Sequence, residues 1–129
     1  MEKKIKLLFI ANKKMKKDDE KNTRNLFEEY APGLYDIFTS VGAKESIEQV
    51  LLLYPEIIVL NDNVKQAQSL LKKIKQIHPN ANVFVFIGMV EDEQKTIDEY
   101  IACGAYKCYM PPIVMDSLVH DMYVALNLE

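Results

Sequence analysis

The sequence predicts an α/β protein in which a single parallel sheet is covered by helices. Two patterns lead to this expectation: short apolar segments without polar alternation, of which Ile57 to Leu60 is the clearest, and longer segments of helical periodicity between them. A strand whose side chains are all apolar is buried on both faces, as the central strands of parallel sheets are. Because strand and helix alternate five times with short connections, we expect residues 1–129 to form one domain with helices on both faces of the sheet.

The composition is that of an ordinary globular domain. A chain of 129 residues can bury a continuous core without disulfides or metal ions, and its formal net charge of -3 argues against a general nucleic-acid surface. No apolar run approaches the length of a membrane span. Cys103 and Cys108 lack CxxC spacing, so we expect two reduced thiols in a cytoplasmic protein. An open alternative is that residues 1–129 are the N-terminal part of a longer protein.

The first strand and helix are separated by a basic segment. The nearly unbroken apolar run Ile5–Ala11 predicts a strand, and residues 12–17, here called the lysine-rich loop, follow it. We expect Asp18 or Asp19 to cap a helix that ends before Pro32-Gly33. The residues at helical spacing that should face inward are Thr23, Leu26, Phe27 and Tyr30.

The next elements lead to the central strand. The segment Leu34–Ser40 has partial alternation and predicts a second strand at a sheet edge. The segment Ala43–Leu53 predicts a helix that Pro55 ends. Its expected inward face consists of Ile47, Val50, Leu51 and Tyr54. The central strand Ile57–Leu60 then lies between Pro55 and the polar cluster 61–63.

The second half repeats the pattern twice more. Val83–Ile87 and Ala105–Met110 predict the fourth and fifth strands, and a helix between them runs from Asp92 to Cys103 with acids at its start and Gly104 at its end. Pro111-Pro112 precedes the last helix. The third helix should bury Val64, Ala67, Leu70, Leu71, Ile74 and Ile77. The last helix should bury Met115, Leu118, Val119, Met122, Ala125 and Leu126.

Right-handed crossovers restrict the strand order of such a chain. For five strands they favour the flavodoxin-like order 2-1-3-4-5, in which the first and third strands are neighbours. Asn12 and Asn61 should then face each other where these strands end. Ligands of open parallel sheets bind just beyond the carboxyl ends of the strands, so this edge is the candidate site.

Several short segments resemble the receiver domain of bacterial response regulators, the CheY-like family. Residues Tyr35 to Gly42 are similar to the second strand and turn of that family, and Pro55 to Asn61 is similar to the run into its phospho-accepting aspartate. Gly104-Ala105 and Pro112 resemble the residues around its fifth strand. The resemblance covers nearly the whole chain. It implies a cis peptide bond before Pro112.

The functional positions of the family are replaced in this sequence. The acidic pair that holds magnesium falls on Ala11-Asn12, or on Asn12-Lys13 after a shift of one residue. The phospho-acceptor position falls on Asn61, the hydroxyl position on Ile87 followed by Gly88, and the lysine position on Pro111. Neutral amides are poor ligands for Mg²⁺, and phosphoryl transfer depends on charge neutralisation. The resemblance therefore implies a degenerate pseudo-receiver that is not an enzyme and holds no cofactor or Mg²⁺.

Two alternatives use residues near this edge. A bulge at the end of the central strand would bring Asp62 into the acceptor position, whereas the competing interpretation is a turn residue that caps the helix beginning near Val64. The lysine-rich loop, which includes Lys13, could bind an anion or a nucleotide, but a solvated loop is the favoured interpretation and no GxGxxG spacing is present.

Receivers commonly pair through the face made of the fourth helix, fifth strand and fifth helix. That resemblance implies an interface here with a protein partner or a second copy of the chain, and no contact with nucleic acid or membrane. The candidate interface residues mix aromatic side chains with both signs of charge, as interface anchors and rims do. They are Lys95, Asp98, Glu99, Tyr106, Lys107 and Tyr109.

Overall fold

The computed structural model describes residues 3–128, in which five strands alternate with five helices. The sheet is wholly parallel and its strand order is β2-β1-β3-β4-β5, which confirms the predicted flavodoxin-like topology. The strands are β1 Ile5–Ala11, β2 Tyr35–Val41, β3 Ile57–Asn61, β4 Asn82–Phe86 and β5 Lys107–Tyr109. The helices are α1 Lys17–Tyr30, α2 Gly42–Leu53, α3 Ala67–Ile77, α4 Glu93–Ala102 and α5 Met115–Ala125.

The central strand β3 divides the core into two layers. Its first four residues are all buried, and because side chains alternate along a strand they enter opposite layers. Ile58 and Leu60 join the layer that contains buried residues of α2, α3 and α4. Ile57 and Val59 join the layer that contains buried residues of α1 and α5. The sheet is therefore covered on both faces, as its uninterrupted apolarity predicts.

The inward stripes of the third and fifth helices are confirmed. On and before α3 the buried residues are Val64, Ala67, Leu70, Leu71 and Ile74, with Ile77 half-buried. On α5 the buried residues are Leu118, Val119 and Met122, and Met115, Ala125 and Leu126 pack partly against them. Helix α3 begins only at Ala67, so Val64 enters the core from the preceding turn rather than from the helix.

The start and the inward face of α1 differ from expectation. The N-cap is Lys16, which makes no side-chain cap, and Asp18 and Asp19 lie inside the first turn, where carboxylates favour the helix dipole. Phe27 is buried, but Leu26 and Tyr30 are 43% and 41% exposed. Both lie on the same side of Phe27, so α1 covers the sheet through a stripe narrower than the apolar spacing suggests.

The second helix ends in a different way from the prediction. Val50 is buried, whereas Leu51 is 63% exposed, so its predicted inward orientation is wrong. Tyr54 lies beyond the helix as its C-cap, with a left-handed φ of 49°. That conformation turns the ring onto the imidazole of His78, with 3.6 Å between the ring centroids.

Helix α4 and strand β5 are shorter than predicted. Asp92 is the N-cap of α4, and its carboxylate accepts a hydrogen bond from the backbone N of Lys95 at 3.0 Å. Gly104 follows the helix with a φ of +112°, a value that favours glycine. Cys103 and Cys108 flank this turn as free, half-buried thiols, and burial raises the pKa of Cys108 to about 11.

A buried histidine links α3 to the end of α2. His78, the C-cap of α3, is 3% exposed, and its Nε2 lies 2.7 Å from the carbonyl oxygen of Pro55. Since a carbonyl oxygen only accepts, Nε2 carries the proton, and the buried Nδ1 has no partner. Burial lowers the pKa of His78, the Pro55 hydrogen bond partly offsets this, and the charges of Lys75 and Glu56 act in opposite directions.

Acidification below pH 6.5 should lower the free energy of unfolding through His78. The pKa of this side chain is lower in the folded protein than its ordinary value of 6.5, so the unfolded chain binds protons more tightly. The effect should vanish above pH 6.5 and cannot exceed about 1.4 kcal/mol per pH unit below it. Urea unfolding between roughly pH 5 and pH 8 measures this dependence.

Substitution of each histidine separates its contribution. His78→Asn retains a donor beside Pro55 without titrating, so the variant should lose less stability on acidification. His120→Asn is the matched control, because His120 is exposed on α5 and its replacement should leave the acid sensitivity in place. Equal slopes in the parent and His78→Asn would show that His78 is not responsible.

Candidate functional site

The candidate site lies where β1, β3 and β4 end. The register pairs Ile10 with Leu60, and Asn61 with Phe86, so the last residues of the three strands lie at one level. Ala11 and Asn61 are half-buried there, while Asn12 and Lys13 are exposed. In the described chain neither Asn12 nor Asn61 makes a side-chain hydrogen bond, and the backbone oxygen of Asn61 accepts from Val64 at 3.1 Å.

The remaining positions at this edge are apolar or lack a side chain. Ile87 is 1% exposed and belongs to the core layer beneath α3 and α4, and its backbone N donates to the oxygen of Tyr109 at 2.8 Å. Gly88 is half-buried and Pro111 is exposed. Gly88 and Pro111 line a cavity of about 200 Å³ together with Met89, Val90, Glu93 and Met110. This side of the edge therefore offers a partner mainly apolar contacts.

Asp62 joins the loop that follows β3 to the end of β4 and to the loop that follows it by two hydrogen bonds. Its backbone N donates to the oxygen of Phe86 at 3.0 Å, and its Oδ1 accepts from the backbone N of Gly88 at 3.1 Å. The predicted role of Asp62 as a helix cap is wrong, because the N-cap of α3 is Gln66 and no side chain caps that helix. Burial first, and then the charge of Asp62, raise the pKa of Tyr100 on α4 to about 12.

The acids near this edge do not assemble into a metal site. Within residues 3–128 no three His, Cys, Asp or Glu side chains form a group that could hold a metal ion. Glu20 accepts a hydrogen bond from Thr39 at 3.0 Å and lies 3.7 Å from Arg24. Its carboxylate is thus engaged at β2. That no Mg²⁺ binds remains a prediction.

The lysine-rich loop forms one wall of a separate cavity of about 240 Å³. Lys13 and Lys14 line it, and among the described residues neither lies within 4.0 Å of a carboxylate. Glu45 also lines the cavity and accepts from the backbone N of Val41 at 2.8 Å. Other lining residues are Phe9, Ala11, Met15, Thr39 and Ser40. An anion entering here would meet two ammonium groups and one carboxylate.

The predicted interface residues lie on α4 and around β5, and we call them the α4–β5 face: Lys95, Asp98, Glu99, Tyr106, Lys107 and Tyr109. All but Tyr109 are exposed. Tyr106 packs its ring against Phe84, with centroids 5.2 Å apart, and remains 42% exposed. Asp98 accepts from Gln94 at 2.8 Å and Glu99 accepts from Gln68 at 3.3 Å, both at the surface. The α4–β5 face therefore presents one exposed aromatic ring together with charged groups of both signs.

Asp121 on α5, which the sequence did not single out, organises the β5 end of this face. Its Oδ2 lies 2.9 Å from the Lys107 ammonium and accepts from the Tyr109 hydroxyl. Burial raises the pKa of Asp121, but the hydrogen bonds from Tyr109 and Lys107 outweigh it and the pKa falls. Burial, and then donation to Asp121, raise the pKa of Tyr109 far above its usual value. The packing of α5 beside β5 brings these three residues together, because Lys107 and Tyr109 lie on the strand and Asp121 lies on the helix.

Solved structures with similar folds identify this arrangement. The receiver domain of a DNA-binding response regulator from Colwellia psychrerythraea superposes with a TM-score of 0.76 at 17% identity, covering 97% of this chain and 99% of that chain. A response-regulator receiver domain from Clostridium thermocellum gives 0.78 at 16% identity over 96% and 95%. A two-component response regulator from Clostridium difficile gives 0.77 at 17% identity over 96% and 97%. The chain has the receiver fold.

Comparison of the sequence alone does not reveal this relationship. No protein-family model and no curated protein matches the sequence. The receiver fold does, however, agree with the features expected from the resemblance: the Pro111–Pro112 peptide is cis, and the strand order is the expected one. No helix within residues 3–128 is long and apolar enough to cross a membrane.

Replacing Asp62 should loosen the link between the β3–α3 and β4–α4 loops. Asp62→Ala removes a charged acceptor from the Gly88 amide, and we expect the free energy of unfolding to fall by about 1 kcal/mol at this half-exposed position. Amide hydrogen exchange at Gly88 should become faster. Both quantities are measurable on one ¹⁵N-labelled sample.

The neighbouring residues supply the controls for Asp62. Asp62→Asn keeps an acceptor oxygen and should have a smaller effect, whereas Asn63→Ala alters an exposed side chain and should change neither quantity. Unchanged exchange at Gly88 in Asp62→Ala would mean that the Asp62 contact does not hold this loop.

Proposed function

We propose that this chain is a pseudo-receiver of a two-component-type signalling protein: a phosphorylation-independent interaction module that works as a homodimer. The supporting observation is that the carboxylate beside the acceptor position, that of Asp62, already accepts a hydrogen bond within the chain. Asn61 ends β3 with a neutral side-chain amide. The carboxylate of the next residue, Asp62, accepts a hydrogen bond from the backbone N of Gly88. We further propose that the module is cytoplasmic, is not an enzyme, and contacts neither nucleic acid nor membrane.

The chemistry of phosphoryl transfer supports this proposal. Transfer to a carboxylate requires positioning of the phosphoryl group and neutralisation of its charge, which receivers achieve with a metal ion held by acids. Here the end of β1 offers Ala11 and Asn12, and the end of β4 offers buried Ile87. These groups offer a metal ion no carboxylate, and the side-chain amide of Asn12 is the one polar side chain among them.

What the fold retains is a surface suited to a protein partner. On the α4–β5 face, Tyr106 is an exposed aromatic ring held from behind by Phe84, which limits the entropy lost on binding. Lys95 and Asp98 contribute opposite charges on the adjacent helix, and a two-fold interface can pair such charges with each other. Self-association through this face is therefore the activity that we propose.

Two alternatives have observations in their favour. Asp62 is half-buried at the carboxyl edge, where a phospho-acceptor would be needed, so a working switch is the second candidate. The third candidate is an anion or nucleotide sensor, because Lys13 and Lys14 line a cavity without ion-pair partners in the described chain. The following experiments separate these candidates.

Incubation with acetyl phosphate and Mg²⁺ should add no phosphate to the protein. We expect the intact mass to stay unchanged while a receiver domain with a complete acidic site gains one phosphoryl group under the same conditions. The physical reason is that the described residues contain no group of three His, Cys, Asp or Glu side chains that could hold the metal ion. A phosphate adduct that maps to Asp62 and disappears in Asp62→Asn would establish the second candidate instead.

Self-association should depend on the α4–β5 face and not on phosphate mimics. Sedimentation equilibrium should detect a dimer whose dissociation constant is unchanged by beryllofluoride and Mg²⁺. Tyr106→Ala and Lys95→Glu should each weaken the dimer by roughly one order of magnitude, the usual effect of losing an anchor at an interface. Lys72→Glu, on the exposed side of α3, is the charge-matched control for Lys95→Glu.

The outcomes of this experiment are distinct. A protein that stays monomeric throughout the micromolar range would refute the homodimer. A dimer that beryllofluoride strengthens would indicate a phosphate-responsive switch. A dimer weakened by Lys72→Glu but not by Lys95→Glu would move the interface to another face.

A further inference from the structure

A cavity lies between α2 and α3, away from the strand ends and from the α4–β5 face. The cavity has a volume of about 540 Å³, within the range of small-molecule sites. Ile47 of α2 and Leu70 of α3 form its apolar floor. Its other lining residues are Ala43, Lys44, Glu48, Gln66, Ser69 and Lys73. A ligand here would therefore contact apolar and charged groups together.

The charges around this cavity favour an anion. Lys44 and Lys73 approach it from different helices, and among the described residues neither has a carboxylate within 4.0 Å. Glu48 is the one acid among the lining residues, so the charges of these side chains sum to one positive charge. Both lysines are exposed, and their ammonium groups can therefore move toward a ligand without disturbing the core.

Elsewhere the chain supplies its own carboxylate to exposed backbone amides, but not at this cavity. Asp92 caps α4, and Glu45 accepts from the backbone N of Val41 at the start of α2. Helix α3 begins beside the cavity with no side-chain cap and no acid in its first turn. An external anion in the cavity would meet the two lysines, and Glu48 is the one lining carboxylate that would oppose it.

We propose that the α2–α3 cavity binds a small organic monoanion with an apolar body, of which a medium-chain carboxylate is the simplest example. The apolar chain lies on Ile47 and Leu70, and the carboxylate lies between Lys44 and Lys73. This inference is independent of the pseudo-receiver proposal, because it uses no residue of the strand ends or of the dimer face. A bound ligand would cover exposed parts of α2 and α3 beside the cavity.

Three probes with the same eight-carbon chain test the charge requirement. Octanoate, octylammonium and octanol are titrated into the ¹³C-methyl-labelled protein, and the methyl shifts of Ile47 and Leu70 are followed. Octanoate should bind saturably and at least about tenfold more tightly than octylammonium, because the site carries two ammonium groups against one carboxylate. Equal binding of octanoate and octylammonium would overturn the proposal, and so would the absence of saturable shifts.

Variants on the cavity wall test the location. Lys44→Gln combined with Lys73→Gln should weaken octanoate binding about tenfold, whereas Lys65→Gln with Lys72→Gln makes the same charge change outside the cavity and should leave it unaltered. Ser69→Trp places an indole at an exposed lining position and should abolish the shifts by filling the space. Methyl shifts confined to Leu51 and Leu52, or unchanged affinity in the double cavity variant, would refute the assignment.

Discussion

Burial of both faces of β3 is the constraint on which the rest of the molecule depends. Ile57 to Leu60 are each at most 2% exposed, so helices must cover the sheet on two sides. Parallel neighbours then place the ends of β1, β3 and β4 at one level. This geometry brings Ala11, Asn61 and Gly88 to the carboxyl edge of the sheet, whatever side chains these positions carry. The fold thus fixes where a site would lie, and the side chains decide what it can do.

Apolar periodicity was enough to predict all ten elements, and the handedness of crossovers predicted the strand order, but neither shows the width of each buried stripe. Leu26 and Leu51 have helical spacing with buried residues and are nevertheless exposed, because periodicity gives a direction without showing how far the neighbouring layer extends. The contacts Asp62–Gly88 and Tyr109–Asp121 join residues far apart in sequence. Such pairs follow from strand register and helix placement, which a single sequence does not encode locally. The resemblance to receivers supplied the cis peptide at Pro112 and the positions of the site residues.

The Asp62–Gly88 hydrogen bond connects the candidate site to the surface proposed for association. Gly88 begins the loop that leads to α4, and Tyr100 of α4 lies close enough to Asp62 for its pKa to respond to that charge. In a phospho-switch, a new anion at this edge would have to create such a contact. Here a carboxylate of the chain already makes it, which favours one conformation of the β4–α4 loop without modification. This contact supports the proposal that association does not depend on phosphorylation.

Carboxylates of this chain already accept hydrogen bonds from several backbone amides where an external anion could otherwise bind. Asp62 accepts from the backbone N of Gly88, Glu45 from that of Val41, and Asp92 from that of Lys95. At these three amides an external anion would have to displace a carboxylate of the chain. Displacement costs the energy of a hydrogen bond to a charged group as well as like-charge repulsion. The lysine-rich loop lies beside one of these occupied positions, since Glu45 lines its cavity. The α2–α3 cavity also contains one acid, but among the described residues Glu48 makes no hydrogen bond to a backbone amide, so an anion there would not have to displace such a contact.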